Sequence, residues 1–463
     1  MKILFKAALL LVLSCYISPV FAQGLIFDDE RYEQVDLMPK LVERSYSLNP
    51  SSYSIKSYAP ATGNQGKYSS CVGWAAGYSA RTISESIALG RKDQRAIANN
   101  VYSPVYLYKK IVKDKEFKDG SNTVDAMELM RNEGIVKRLP IEEKTKLEAL
   151  DIISTYKQSK RYPISEYVRL FTLNYGENKV LPVKNRIAAG KPVVIGMLAP
   201  ESFKNAYDKE LWQPTERFDR RKMGNLGHAV TVVGYDDNRY GGAFEIQNSW
   251  GASWGKDGFI WIKYDDFAVW TRESFAIVED LTNFKAVIEF ASSIDIKRSD
   301  SADGMPVRYD KQGFYKTISS YSSGTEFQFM MTNRKDAYVY AFAADNRTAM
   351  VSRIFPSQGE SPVLDYPDST VAWPAENDWI LMDDVVGTDY LVVLFSKYAL
   401  DIDSIERKFA TTKGTFSGRV AVAVGDNFMP YSRVKYNDNK IDLSVSSTNP
   451  KAVVGLLLAI EHK

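Results

Sequence analysis

The sequence predicts an α+β chain in two parts: a two-lobed domain, helical first and strand-rich second, followed by a mostly antiparallel β-sandwich. Three observations carry this. Between about residues 72 and 130 apolar residues recur at helical spacing. From 192 to 264 they gather in β-branched and aromatic runs separated by Gly and Asp turns. Beyond about 280 the apolar stretches are short β-like runs, several alternating with period two. A chain of 463 residues suits two or three domains, and 45% hydrophobic with 13% aromatic residues is ample for buried cores.

Taken in order, Lys2 and Lys6 precede the apolar run Ala7–Leu13, and Val20-Phe21-Ala22 places small residues before Gln23. This fits a secretory signal over 1–22, cut after Ala22. The run is shorter than the ~18–20 residues a spanning helix needs, so no stable membrane insertion is expected. A lipid anchor on Cys15 is the alternative, although Leu13 is large for such a signal. Cleavage removes Cys15 and leaves Cys71 alone. An unpaired thiol in an exported chain invites a chemical explanation, and the lack of cystines in a chain this long suggests a bacterial source.

Residues 23–50 are polar and acidic (Asp28-Asp29-Glu30) and read as a short lead-in. The domain is expected over 51–281. In it, Val72-Gly73-Trp74-Ala75 continues through Ile83 and Ile87 as a helix that begins at Cys71. Ser103-Pro104 opens a second helix, and Asn122-Thr123 a third with Val124, Met127 and Met130 as its core stripe. Buried strands follow at Pro192–Leu198, Ala229–Tyr235, Ala243–Gln247 and Phe259–Tyr264. The sandwich is expected over 288–463, with runs at Phe327–Met331, Tyr338–Phe342, Tyr390–Phe395, Arg419–Val424 and Ala452–Leu458. It is expected to fold separately and to be dispensable for the chemistry.

Cys71 lies at the first turn of its helix, where unsatisfied N–H groups and the helix dipole favour thiolate. The same position suits an inert buried cysteine equally well. His228 opens a strand, and a lone histidine there is more often structural. Asn248, in Gln247-Asn248-Ser249-Trp250-Gly251, also suits ordinary turn chemistry.

Together, Gln65-Gly66 six residues before Cys71, His228-Ala229-Val230 and Asn248-Ser249-Trp250-Gly251 resemble the papain family of cysteine peptidases, in its order and approximate spacing. The resemblance covers about 51–281 and implies a papain-like fold. It also implies roles: Cys71 as nucleophile, His228 as acid and base, Asn248 orienting the ring, and Gln65 with the Cys71 N–H as oxyanion donors. Trp250 resembles the family's shielding indole, Trp254 the indole on the leaving-group side, and Ala229 a wall of the main specificity pocket. The chain departs from the pattern at Val72, Tyr68 and Ser69, and in the 157 positions from Cys71 to His228, an excess over the usual spacing that is expected within Lys144 to Asn178. Past 281, Ala337–Phe342 with Arg353–Pro356 resembles an uncharacterised β-sandwich module, which implies an accessory or surface-binding role.

With 59 Lys and Arg against 57 Asp and Glu, the net charge of +2 supports no nucleic-acid partner. The leading expectation is a secreted or periplasmic thiol protease acting on protein or peptide substrates, with no metal and no cofactor. The alternatives are an acyltransferase or deamidase with the same triad, or a binding or adhesion protein built on this scaffold.

Overall fold

The computed structural model describes residues 23–112, 119–144, 149–174, 177–219, 226–280, 286–311, 313–345 and 351–463. The expected signal over 1–22, with Cys15, lies outside the described residues. So does part of the stretch from Lys144 to Asn178.

In the first lobe a helix starts at Cys71 and runs to Ala88, and from Gly73 to Arg81 its hydrogen bonds span five residues, as in a π-helix. Such segments are uncommon and gather at functional sites. Glycine lets this helix pack tightly against its neighbours. A Cβ on Gly73 would sit 2.5 Å from the Pro104 carbonyl oxygen, and one on Gly77 would sit 2.8 Å from Ile135 Cδ1. The flanking helices are Pro104–Ile111, capped by Ser103, and Thr123–Asn132, capped by Asn122. Met127 and Met130 are fully buried, as the stripe predicts.

The second lobe is a sheet ordered Glu166–Arg169, Thr271–Val278, Val193–Leu198, Gly227–Asp236, Ala243–Gln247, Phe259–Lys263, then the short Leu211–Trp212. Only the last pairing is parallel along this path. Its register sets the site. Gly196 lies opposite Ala229 on one side and Glu273 on the other, while Met197 lies opposite His228. Because strand side chains alternate faces, Ala229, Gly196 and Glu273 share the face that receives the cysteine helix, on which Thr231 Oγ1 donates to the Ala75 carbonyl at 3.0 Å. His228 points to the other face.

The C-terminal region is a sandwich of two sheets. One is ordered Val307–Tyr309, Phe314–Thr317, Val453–His462, Gly387–Ser396, Ala337–Asp345, Val351–Phe355; the other Ser369–Trp373, Glu326–Asn333, Ile288–Arg298, Ile441–Ser447, Lys435–Tyr436. Pairing is antiparallel except between Phe314–Thr317 and Val453–His462. One expectation is corrected: Arg419–Val424 is not a strand but part of a helix, Phe416–Val424. Thr415 Oγ1 accepts from the Gly418 N–H, and Gly425 at φ 84 ends the helix. Val420 and Ala423, three apart, are buried, whereas Val422 is 62% exposed. Alternating small apolar residues satisfy both periods over so short a run, and the caps decide.

The expectation of a sandwich that folds apart also meets a buried interface. Arg186, fully buried, pairs with Asp365 of the sandwich and donates to the Ile277 carbonyl at 2.8 Å; Lys191 Nζ reaches the same carboxylate at 2.5 Å. The lead-in stitches the two together. Met38 N–H bonds Arg169 O at 2.9 Å, Leu37 N–H bonds Gly359 O at 2.8 Å, and Val42 N–H bonds Thr370 O at 2.9 Å.

Candidate active site

Cys71, His228, Asn248 and Gln65 are all buried, with His228 against Asn248 and the Cys71 sulfur against the backbone N–H of Ala229, the residue after His228. Asn248 Oδ1 lies 2.7 Å from His228 Nε2 and accepts from the Ser249 backbone N–H at 2.7 Å. A backbone N–H can only donate, so the atom it meets is the amide oxygen, and His228 Nε2 must then carry the proton. That leaves Nδ1 as the basic nitrogen. It is buried and makes no hydrogen bond among the described residues. Trp250 stacks on the imidazole at 4.4 Å between centroids and 30° between planes.

Gln65 is held at both ends of its amide: Nε2 donates to the Tyr68 carbonyl at 2.8 Å, and Oε1 accepts from Ser249 Oγ at 2.7 Å. Its backbone N–H bonds Ser249 O at 2.8 Å. The loop before the cysteine and the loop after Asn248 are thus one hydrogen-bonded unit. Trp254 packs edge-on against Trp250, their centroids 5.6 Å apart. It is fully buried, its Nε1 donating to the Phe203 carbonyl at 2.9 Å. Ala229, also buried, turns its backbone N–H toward the Cys71 sulfur.

The cleft is occupied by the chain itself. The lead-in that the sequence reads as polar begins with Gln23-Gly24-Leu25-Ile26-Phe27, and these residues lie between the lobes. Leu25 N–H donates to Gly227 O at 3.1 Å, Ile26 N–H to Ser121 O at 3.0 Å, and Ser121 N–H to Gly24 O at 2.7 Å. The Gln23 side chain donates to the carbonyls of Ala199 and Leu226. Gly24 passes so close to the cysteine loop that a Cβ on it would sit 2.1 Å from Ser69 O, and its N–H faces the Cys71 sulfur. The missed signal is Leu25-Ile26-Phe27, an apolar triplet ahead of an acidic stretch.

This cover changes the electrostatics expected for a thiolate–imidazolium pair. Burial pushes the Cys71 thiol up to about 11, against backbone N–H groups of Ala229 and Gly24 that favour thiolate. Burial likewise pushes His228 down to about 4, against the favourable Asn248 bond. Both shifts favour the neutral form, because a dry site penalises either charge. In this closed arrangement burial therefore opposes the thiolate that the helix start favours.

The match to the family model for papain family cysteine proteases covers residues 62–277. Residues 62–277 are a papain-family domain. Residues 320–398, within the sandwich, match a domain of unknown function, DUF4384. An uncharacterized peptidase C1-like protein of Acanthamoeba polyphaga mimivirus is 28% identical over 28% of this chain and 42% of its own length. Cysteine proteinase 3 of Entamoeba histolytica is 37% identical over 17% of this chain and 25% of its own. The chain thus spans less than half of these relatives. Among solved structures, xylellain, a cysteine protease from Xylella fastidiosa, is 21% identical with a TM-score of 0.44, covering 56% of this chain and 96% of that one.

The papain-family domain holds no group of three His, Cys, Asp or Glu side chains arranged for a metal among the described residues. No described helix is long and apolar enough to cross a membrane. Cys71 is the one cysteine among the described residues.

Proposed function

We propose that the chain is an exported cysteine protease that hydrolyses peptide bonds through a thioester on Cys71. The observation that supports this most is the Asn248-held imidazole, whose basic Nδ1 is buried without a partner in the domain that carries the lone thiol. With the lead-in displaced, water and substrate reach the site, and the desolvation that keeps both groups neutral falls away. His228 then takes the Cys71 proton, and the thiolate attacks the substrate carbonyl carbon. The oxyanion is met by the Gln65 side-chain N–H and the Cys71 backbone N–H. The C–N bond breaks as His228 passes its proton to the leaving amine. Water adds to the thioester carbon, gives a proton to His228, and the thiolate departs.

Residues 23–463 should cleave fluorogenic peptides, and Cys71→Ala and His228→Ala should each abolish cleavage without unfolding the chain. Acyl transfer to an added amine with no hydrolysis would replace this reading with an acyltransferase. No chemistry on any acyl donor would leave a binding scaffold. Export through 1–22 predicts that the protein recovered outside the cytoplasm starts at Gln23; a full-length cytoplasmic product would refute it. The region from 288 onward is assigned an accessory or partner-binding role.

A further inference from the structure

The C-terminal sandwich, which the proposed reaction does not use, brings a hydroxyl, an imidazole and a carboxylate together. His462 ends the strand Val453–His462 with its side chain fully buried, and its Nε2 lies 3.0 Å from Ser323 Oγ. Its Nδ1 makes no hydrogen bond among the described residues but faces two carboxylates, Asp389 Oδ2 at 3.6 Å and Asp383 Oδ1 at 4.0 Å. An ionised carboxylate only accepts, so Nδ1 is the nitrogen that keeps the ring proton. Nε2 then carries the lone pair, and the Ser323 hydroxyl donates to it. Hydroxyl, base and orienting acid in this order activate a serine for attack.

The fold brings three segments distant in sequence to one point. His462 lies opposite Gly387 in the sheet and Ile460 opposite Asp389, so Asp389 and His462 are diagonal neighbours on one face, and glycine at 387 adds no side chain beside the ring. Ser323 sits in the turn Ser322-Ser323-Gly324-Thr325. Thr325 N–H closes that turn on Ser322 O at 3.1 Å, and Gly324 N–H ties it to Met382 O at 2.9 Å. Tyr321 N–H bonds Glu461 O and Lys463 N–H bonds Tyr321 O, each at 2.8 Å, which fixes the turn against the strand end that carries His462. The turn opens to solvent, since nothing stands within 4 Å of the place a Cβ on Gly324 would take. Leu381, Val385 and Val386 flank Asp383 in the chain, and Ile318 follows Thr317, whose hydroxyl accepts from the Glu461 N–H at 3.1 Å. All four are exposed large apolar side chains, and exposed apolar surface of this kind marks binding.

We propose that Ser323, His462 and Asp389 form a second, serine-based acyl-transfer site that hydrolyses esters of apolar carboxylic acids. His462 Nε2 takes the Ser323 proton as Oγ attacks the ester carbonyl carbon; the C–O bond to the alcohol then breaks, and the alcohol leaves with that proton. Water adds to the acyl-serine, gives a proton to His462, and Ser323 Oγ departs with it as the acid is released. Asp389 is a positioning residue that holds the Nδ1 proton and offsets the imidazolium charge. Closing 3.6 Å to a hydrogen bond of about 2.9 Å asks only for a turn of an exposed carboxylate, and such contacts tighten when substrate binds. The Ser323 N–H, which meets no acceptor among the described residues, is the oxyanion donor. A single donor suits an ester, whose leaving group departs more readily than an amine. The apolar side chains suit an apolar acyl group, and Asp383 and Asp389 repel an anionic one. Residues 320–398, the stretch of unknown function, contribute Ser323 and Asp389, and His462 lies beyond them.

The test uses residues 23–463 carrying Cys71→Ala, so that no thiol contributes and the result does not depend on the protease reading. A fluorophosphonate should bond to Ser323 Oγ with loss of fluoride and transfer of the proton to His462, and peptide mass mapping should place the adduct on Ser323. Ser323→Ala should abolish both the adduct and the hydrolysis of p-nitrophenyl butyrate. His462→Gln, which keeps hydrogen-bonding atoms but no base, should slow both about 10²–10⁴-fold. Asp389→Asn should slow both about tenfold or more, and Asp389→Glu, whose extra methylene spans the gap, should restore them. Each variant is checked for folding by its thermal transition. The butyrate ester should turn over about tenfold faster than the p-nitrophenyl ester of the succinate monoanion, the scale of a like-charge contact; equal rates would overturn the substrate class. Absence of an adduct on Ser323 in the parent chain overturns the proposal without recourse to any variant. Labelling and hydrolysis that survive His462→Gln, or that Asp389→Asn leaves unmoved, overturn it as well.

Discussion

Replacing Gly24 by alanine should open the cleft without touching the reacting groups. The added methyl would sit 2.1 Å from the Ser69 carbonyl oxygen and 2.3 Å from its carbon. These are backbone atoms that cannot swing aside, so the lead-in has to move outward. Doing so strains or breaks the Ser121 N–H to Gly24 O bond of 2.7 Å and the Leu25 N–H to Gly227 O bond of 3.1 Å. At a net ~1 kcal/mol per hydrogen bond, plus part of the ~1.5–3 kcal/mol for burying Leu25, the closed state loses about 2–3 kcal/mol. At 1.4 kcal/mol per tenfold, the open fraction rises about 30- to 150-fold. The assay is the alkylation rate of Cys71 by iodoacetamide at pH 7, followed by intact mass, with Cys71→Ser as the blank. The wild type should react slowly, and more readily only as the pH climbs toward the buried thiol's value of about 11. The Gly24→Ala chain should react faster by that factor and reach its plateau at lower pH, because an open site lets His228 stabilise the thiolate. Equal rates and equal pH profiles in the two chains would refute the reasoning, since the lead-in would then not cover the thiol in solution.

Three further outcomes follow from the same geometry. Gln65→Ala should lower kcat by about 10²–10³ with little change in KM, as expected for a donor that matters most when charge develops on oxygen; a raised KM at constant kcat would remove Gln65 from that role. Glu273 binds its proton more tightly in the folded chain, at about 8 against an ordinary 4.5. The folded state then holds the extra proton between those values, so stability falls as pH rises through the window. Denaturant titrations should show Glu273→Gln gaining on the wild type from pH 4.5 to 8, by at most about 5 kcal/mol at 1.36 kcal/mol per pH unit; a gap independent of pH would rule this out. Asp365→Ala leaves Arg186 buried without its carboxylate and should cost about 3–5 kcal/mol, read as a lower Tm of the whole chain. An unchanged Tm would mean the interface adds nothing. For the same reason a fragment ending near 285 should be less stable than the full chain.

Chemistry that depends on residue type and order was legible in the sequence. A cysteine at a helix start, one histidine before a strand and an asparagine–serine–tryptophan loop pointed to Cys71, His228 and Asn248, and in the structure Asn248 bonds the His228 ring while Trp250 stacks on it. The helices at Pro104 and Thr123 were legible because their caps and apolar stripes are local properties. The run at Arg419–Val424 misled because alternating small apolar residues fit a strand or a helix, and the choice lay with Thr415 and Gly425.

The remainder was decided between residues far apart in the chain. Nothing in Gln23–Phe27 says that it bonds to Ser121 and Gly227, because backbone donors and acceptors are the same in every sequence. Glu273 is an ordinary acid within a strand until the register sets it beside Gly196, where desolvation, a property of the packed site alone, raises its affinity for a proton. The thiol follows the same rule. Residue type and helix position argued for a thiolate at Cys71, whereas burial in the packed site, where a segment nearly fifty residues upstream folds back beside it, pushes the thiol the other way.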